Sequence, residues 1–472
     1  MLHSQARLRL LSRLRPCQLP YSLYRRGPLN VLMSTTSMPG EGRIEYEWID
    51  GVERLDMYEP GGYHPVKIND VLYSRYRIVD KLGFGGYSTI WLARDESMER
   101  YVAIKVNISG SSQAVPLRET SVLRALSRLR SSTNTLSAGH PEHKFTPEIL
   151  DEFIVEGPNG LHPCYTVSPA QGNLREASFS RLFPIQVARR LAGNLAQAVS
   201  LVHSGGFVHG DIHLRNVLVR TESNFDELSI DEFRERFGEP EAIPVRRIDG
   251  KPLTPNVPAE AVLSLCLGKK AQDFTIADAD GLILSDFGET FNPSMEKRLG
   301  RHCNTPVSKR APEAPVVPDS PLSFPSDIWS LGLAIWEIVG MKPLFGDCET
   351  EDEIVAQQVD VIGDQHFPQS WREHWERQGE KKQDDRPQSN AHWPTCDREK
   401  WPPLDEAFNE CVQRYREKRA ALGMFSQDET DVFLELMRGM LKFRPDERFS
   451  IQEVLESKWM KEWVMPEREN SR

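Results

Sequence analysis

Apolar positions along the chain fall into two regimes. From Tyr73 to Val106 they come in short runs rich in Val, Ile and Tyr, broken by glycines, which predicts three antiparallel strands. Residues 115–130 switch to a helical spacing through Leu117, Val122, Leu123, Leu126 and Leu129. Residues 186–202 repeat that spacing until Gly205-Gly206 stops it. Residues 325–340 predict a largely buried helix opened by Ser326 or Asp327, and helices are expected again from 404 to 464. Polar stretches lie between: an extended lead-in at 41–72, a Pro-rich insert at about 221–280, a surface loop at 379–402 and a tail at 465–472. The outline is α+β, a small β-rich part followed by a larger helical one. No apolar run approaches the ~18 residues of a membrane-spanning helix, and no fixed-period repeat is present.

Charge changes this picture at one end. The 472-residue chain carries a formal net charge of −11, yet residues 1–40 hold six arginines and no acid. The remainder has 52 basic and 69 acidic side chains, a balance of −17 that favours basic partners or simply keeps the protein soluble. Residues 1–40 read either as a basic disordered tail or as a mitochondrial transit peptide. The seven cysteines include no C-x-x-C pair, which argues against a zinc ribbon or a disulfide framework.

Four segments carry candidate chemistry. Leu82-Gly83-Phe84-Gly85-Gly86-Tyr87-Ser88-Thr89-Ile90 lies between two predicted strands, where glycines let backbone amides approach phosphates; an ordinary hairpin uses the same residues. Val102-Ala103-Ile104-Lys105 ends a strand in one charge, with room over Ala103 for a flat base and Glu119 on the next helix to hold Lys105 against phosphates. His209-Gly210-Asp211-Ile212-His213-Leu214-Arg215-Asn216 places a carboxylate and a carboxamide five residues apart on a helix-to-strand loop. Asp211 can orient a hydroxyl and take its proton, and Asn216 can ligate magnesium. Asp286, in Leu284-Ser285-Asp286-Phe287-Gly288, supplies a second oxygen ligand for that hard cation.

With Ala311-Pro312-Glu313, Asp327-Ile328-Trp329-Ser330-Leu331-Gly332 and Arg448 following in order, residues 73–464 resemble the eukaryotic protein kinases. The resemblance implies a bilobal fold, with an N-lobe at about 73–167, a C-lobe at about 171–464, and ATP and Mg2+ between them. By the same likeness Val167 is the gatekeeper, Ser168 and Ala170 meet the adenine through their backbone, and Ala103 and Leu218 sandwich it beneath Leu82 and Ile90. A closer resemblance is to the serine/arginine-rich-protein kinases, carried by Gly61-Gly62-Tyr63-His64-Pro65-Val66-Lys67-Ile68, by residues 81–95 and by the insert before D-F-G. The string 238–253 is similar to a fungal branch of that family. This implies serine/threonine phosphorylation of Arg/Ser-rich proteins of mRNA processing, in cytoplasm and nucleus, with no direct nucleic-acid or membrane partner. A mitochondrial location is the alternative if residues 1–40 are a transit peptide.

The pattern departs from the family in places. Ser88 and Ile90 replace a glycine and a valine of the glycine-rich segment, and Gly210 replaces the arginine that grips an activation-loop phosphate. His213 stands where a lysine normally touches the γ-phosphate, and Thr305-Pro306 lies one residue further from A-P-E than is usual. H-G-D-x-H-x-x-N also occurs in aminoglycoside and choline phosphotransferases, so a small-molecule kinase is one rival reading. A pseudokinase scaffold is the other, against which stand Lys105, Glu119, Asp211, Asn216 and Asp286.

Overall fold

The computed structural model describes residues 44–109, 117–133, 145–178, 182–221, 225–346, 350–382 and 400–465. The basic segment 1–40 and most of the expected loop at 379–402 lie outside them. The chain divides into two compact units. The first comprises residues up to Val115, Leu150–Pro169 and Glu222–Leu267; the second comprises Pro116–Ile149, Ala170–Thr221 and Gly268 onward.

The first unit is built on an antiparallel sheet in the order β1-β2-β3-β4-β6-β5. Its strands are β1 Val71–Leu72, β2 Tyr76–Gly85, β3 Ser88–Asp95, β4 Arg100–Asn107, β5 Asp151–Gly157 and β6 Gly160–Val167. Strand residues alternate between faces, so register decides which side chains share a side. Trp91 pairs Ile104 and Ala93 pairs Val102, and these join Val106, Ile78 and Cys164 in one apolar core. The opposite face carries Ile90 opposite Lys105, and Ala103 opposite Leu92 and Val167.

The lead-in and the insert both pack into this unit. Leu55, Tyr58 and Tyr63 of the lead-in form a cluster with Val245, Val257 and Ala261 of the insert. Phe225, Phe233 and Leu265 cover Val79, Leu92 and Tyr101, with Leu82 at the margin. The insert helix Ile230–Phe237 opens on a capping box between Ser229 and Glu232, which satisfies two otherwise orphaned backbone donors. The segment expected as an insert in the larger lobe therefore divides, 222–267 folding with the strands and 268–280 with the helical unit.

In the second unit the helices Ile185–Ser204, Phe324–Val339 and Gln427–Met440 bury apolar faces against one another in a single core. Gly205 ends the first of these. The helix expected from Ser326 or Asp327 starts at Phe324, with Ser323 as its N-cap and Pro325 in its first turn. Asp327 lies in the first turn and accepts hydrogen bonds from elsewhere. The helix Gln369–Lys382 runs into the stretch expected as a loop. Its polar sequence is pinned by Trp371 and Trp375, which pack against the cluster of Phe367 and Phe443. Cys266 is disulfide-bonded, against the expectation from cysteine spacing, whereas Cys164, Cys303 and Cys411 are free.

Candidate functional site

Each unit carries one set of the sequence-predicted groups. In the first unit, Gly85 pairs Ser88 across a tight turn at Gly86-Tyr87. None of Gly83, Gly85 and Gly86 adopts a positive φ. A Cβ at any of them would meet nothing within 4 Å. The hairpin itself therefore does not require glycine here, and the three leave the backbone open to close approach by a ligand. Phe84 and Tyr87 are exposed at the tip. Ser88 and Thr89 are buried, and the Thr89 hydroxyl accepts a hydrogen bond from Trp91 Nε1 at 2.9 Å, so its side chain serves the core.

Ala103 and Lys105 share one sheet face with Ile90 and Val167, as two-residue periodicity requires. The Lys105 ammonium lies 5.9 Å from the centroid of the Tyr165 ring. Strand β6 ends at Val167, Ser168 is exposed, and the chain passes from the first unit to the second between Pro169 and Ala170. Ala170 begins a short strand that pairs with Val217–Arg220, on which Leu218 is half-buried between buried Val217 and Val219.

The catalytic-loop candidates meet in the second unit. The Asn216 side-chain amide donates to the Asp211 backbone oxygen at 2.9 Å and to its Oδ2 at 3.0 Å. Using the amide's donor end in this way leaves the Asn216 carbonyl oxygen as its ligand atom. Asp211 Oδ1 is buried and accepts no hydrogen bond among the described residues. His213 Nε2 lies 3.4 Å away and is poorly aligned. A buried carboxylate oxygen without a donor is costly, unless a substrate hydroxyl supplies one.

His209 ties this loop to Asp286-Phe287-Gly288. Its Nδ1 accepts the Asp211 N–H at 3.2 Å while its Nε2 donates to the Ser285 oxygen at 3.1 Å. The Ser285 N–H and hydroxyl both donate to the Asn216 backbone oxygen, at 2.8 and 3.0 Å. Asp286 sits at φ 62°, ψ 75°, a left-handed conformation that a non-glycine residue keeps only where its surroundings impose it. Phe287 is fully buried, edge-on to His209, and its N–H donates to Glu119 Oε1 at 3.1 Å. Lys105 and Glu119 belong to different units.

The supporting contacts of two residues already quoted, Asp327 and Gly210, were not read from the sequence. Buried Asp327 accepts from the N–H of His209 at 2.7 Å, from that of Gly210 at 2.9 Å, and from His203 Nε2 at 3.0 Å. Its place in D-I-W-S-L-G was the available signal. Gly210 has φ +79°, and a Cβ there would lie 3.0 Å from the Glu289 oxygen, so its backbone is one that glycine holds without strain. The Gly210 oxygen accepts from Thr305 Oγ1 at 2.6 Å, and Arg448 pairs with Glu313 in the core.

Asp286 and Asn216 oxygens are the right donors for magnesium, a cation that takes one or two protein carboxylates and completes its shell with phosphate and water. The open glycine turn and the unpartnered Asp211 oxygen fit a phosphate donor and a hydroxyl acceptor.

The protein kinase domain family matches residues 270–460. A serine/threonine protein kinase of Aspergillus fumigatus is 27% identical over 427 residues, covering 86% of this chain and 90% of that protein. Protein kinase dsk1 of Schizosaccharomyces pombe is 35% identical over 174 residues, 35% of this chain and 30% of that protein. SRSF protein kinase 3 of Homo sapiens is 31% identical over 168 residues, 34% of this chain and 28% of that protein. A crystal structure of a kinase domain, 17% identical, matches with a TM-score of 0.53 over 84% of this chain and 98% of that one, a likeness of fold alone. Residues 270–460 therefore match the protein kinase domain family, the fold is that of protein kinases, and the chain is similar to a fungal serine/threonine protein kinase and to the SRSF protein kinases.

Proposed function

We propose that this kinase transfers the γ-phosphoryl group of ATP, with magnesium, to serine or threonine hydroxyls of Arg/Ser-rich proteins of mRNA processing. The observation that carries the reading is the Asp211 Oδ1 atom, buried and without a hydrogen-bond donor while Asn216 holds the other oxygen. Asp211 receives the proton of the substrate hydroxyl as that oxygen bonds to the γ-phosphorus and the bond to ADP breaks. Magnesium, when bound by Asp286 and Asn216, neutralises charge on the phosphate oxygens. In this reading Lys105 and the glycine-turn amides hold phosphate, and Ala103, Leu218 and the Ser168 and Ala170 backbone hold adenine.

Three points favour basic protein substrates. The acidic balance of residues 41–472 attracts arginine-rich segments. The buried Glu313–Arg448 pair braces the segment following the activation loop. The relatives include kinases named for SRSF proteins. Cytoplasm and nucleus are the matching location, and mitochondrial import of a reporter fused to residues 1–40 would replace it.

The test is phosphate transfer from Mg-ATP to an Arg/Ser-repeat peptide, beside Asp211→Ala, an aminoglycoside and choline. Asp211→Ala is expected to lower turnover by about 10³-fold. Equal transfer by wild type and variant sinks the assignment of Asp211. A small molecule that outperforms every peptide replaces the substrate class.

A further inference from the structure

The structure assigns a positioning role to Tyr63, a lead-in residue outside every motif that touches nucleotide: its hydroxyl sets the glycine turn for the phosphates of the nucleotide. Tyr63 Oη donates to the backbone oxygen of Gly85 at 2.7 Å, across 22 residues of sequence. Gly85 is the last residue of β2, immediately before the turn. Its C=O and the N–H of Gly86 belong to one trans peptide plane and point in opposite directions. Fixing the oxygen on the lead-in side turns the Gly86 N–H away from it, toward the face the lead-in does not cover. An amide held in advance costs no ordering when an anionic oxygen arrives, whereas Gly83, Gly85 and Gly86, three glycines in four residues, otherwise leave the turn free to rotate it.

The tyrosine is itself held on several sides. It is 3% exposed and packs on Tyr58 with ring centroids 5.5 Å apart. Val245, Val257 and Ala261 of the insert complete its pocket. Its backbone oxygen accepts from Asn159 Nδ2 at 2.6 Å. Below it, the fully buried Lys81 ammonium pairs with Glu53, which also accepts a hydrogen bond from the Tyr58 hydroxyl. Lys81 lies on the same strand as Gly85, and its oxygen accepts from the Leu265 N–H at 2.7 Å. Strand β2 is thus gripped by lead-in and insert together, and Tyr63 is the member that reaches the turn. Burial and the neighbouring Glu53 push its phenol up to about 12, so it remains a donor throughout the working pH range.

This role rests on the nucleotide reading of the glycine turn, and the experiment separates the two. Binding of adenosine and of Mg-ADP to the full chain is measured by calorimetry for wild type, Tyr63→Phe and Tyr58→Phe. Phenylalanine keeps the ring packing and removes only the hydroxyl. Tyr63→Phe is expected to weaken Mg-ADP about fivefold, the scale of one neutral hydrogen bond, and to leave adenosine unchanged because adenosine has no phosphate. Tyr58→Phe, which loses a hydroxyl from the same cluster without touching Gly85, is expected to change neither ratio. Equal Mg-ADP affinity in wild type and Tyr63→Phe overturns the role, as does a parallel loss for adenosine. Failure of the wild type to bind Mg-ADP overturns the nucleotide reading itself.

Discussion

Asp327 accepts a hydrogen bond from the backbone N–H of His209 at 2.7 Å, across 118 residues of sequence. One carboxylate, 1% exposed, also takes the Gly210 N–H and the His203 ring, so the loop that presents Asp211 hangs from the first turn of the Phe324–Val339 helix. Asp327→Asn offers a single accepting oxygen to these three donors. Hydrogen bonds to charged groups are worth about 1.5–3 kcal/mol, so a stability loss of about 3 kcal/mol is expected, with kcat down about tenfold or more. Urea unfolding and steady-state kinetics measure both. An unchanged kcat in a folded variant means the loop holds its shape without this anchor.

The segment after Asp286-Phe287-Gly288 is cross-linked without a phosphate. Arg298 donates to the Glu289 backbone oxygen at 2.8 Å and to its carboxylate at 2.7 Å, and lies 5.0 Å from the Phe291 ring centroid. Glu296 lies 3.4 Å from Arg298 and 2.6 Å from Arg118 at the start of the helix bearing Glu119. Gly210 adds no guanidinium to receive a phosphate. Phosphatase-treated protein is therefore expected to match untreated protein in turnover, while Arg298→Ala lowers kcat about tenfold. A large loss on phosphatase treatment contradicts this.

The local part of the chemistry was legible in the sequence, and the long-range part was not. Asp211 and Asn216 are five residues apart and His209 precedes both, so a short motif contains nearly the whole loop, and the structure brings these three together. Asp327 and Tyr63 act through backbone atoms far along the chain, where nothing in composition marks a contact. The apolar residues of the insert, Phe225, Phe233 and Leu265, are spread among prolines and charges. Their common face appears only when Val79, Leu92 and Tyr101 supply the other half of the cluster. Arg416 makes the same point: fully buried, it donates to the Val339 oxygen at 2.9 and 2.7 Å, although an arginine in a polar stretch reads as exposed.

The His64 and His162 rings pack at a tilt of 53° with centroids 4.9 Å apart, and neither His64 Nδ1 nor His162 Nε2 has a hydrogen-bond partner among the described residues. Burial, with a smaller push from His162, lowers His64 to about 4. An unfolded histidine titrates near 6.5. Above that value neither state binds the proton and the stabilisation is complete. Between about 6.5 and about 4 the unfolded chain takes up a proton that the folded chain refuses, so stability falls with pH by about 1.4 kcal/mol per unit, roughly 3 kcal/mol in all. His162 is lowered as well, chiefly by burial, and acts in the same direction. Urea midpoints at pH 7 and pH 5 are expected to differ clearly in wild type and much less in His64→Phe, which keeps a ring against His162. Parallel slopes for the two proteins assign the acid sensitivity elsewhere.

His213 decides how well the loop handles charge. Its Nε2 lies 3.4 Å from Asp211 Oδ1 and 3.4 Å from Asn216 Nδ2, both longer than a good hydrogen bond. The ring therefore borders the aspartate without locking it, and replacing it leaves the Asn216-to-Asp211 bonds intact. Phosphoryl transfer spreads charge over the γ-oxygens, and a cation aimed there helps most in the transition state. A lysine ammonium, with an ordinary value near 10.4, supplies that charge throughout the neutral range. His213→Lys is expected to raise kcat by about five- to thirtyfold, equivalent to about 1–2 kcal/mol for a partly solvated contact, with peptide KM little changed. His213→Ala is expected to lower kcat, because the pocket beside Asp211 then fills with water. The two variants together separate charge from support. If lysine and alanine both slow the enzyme, the imidazole orients Asp211 despite its long contacts, and the electrostatic account of this position is wrong.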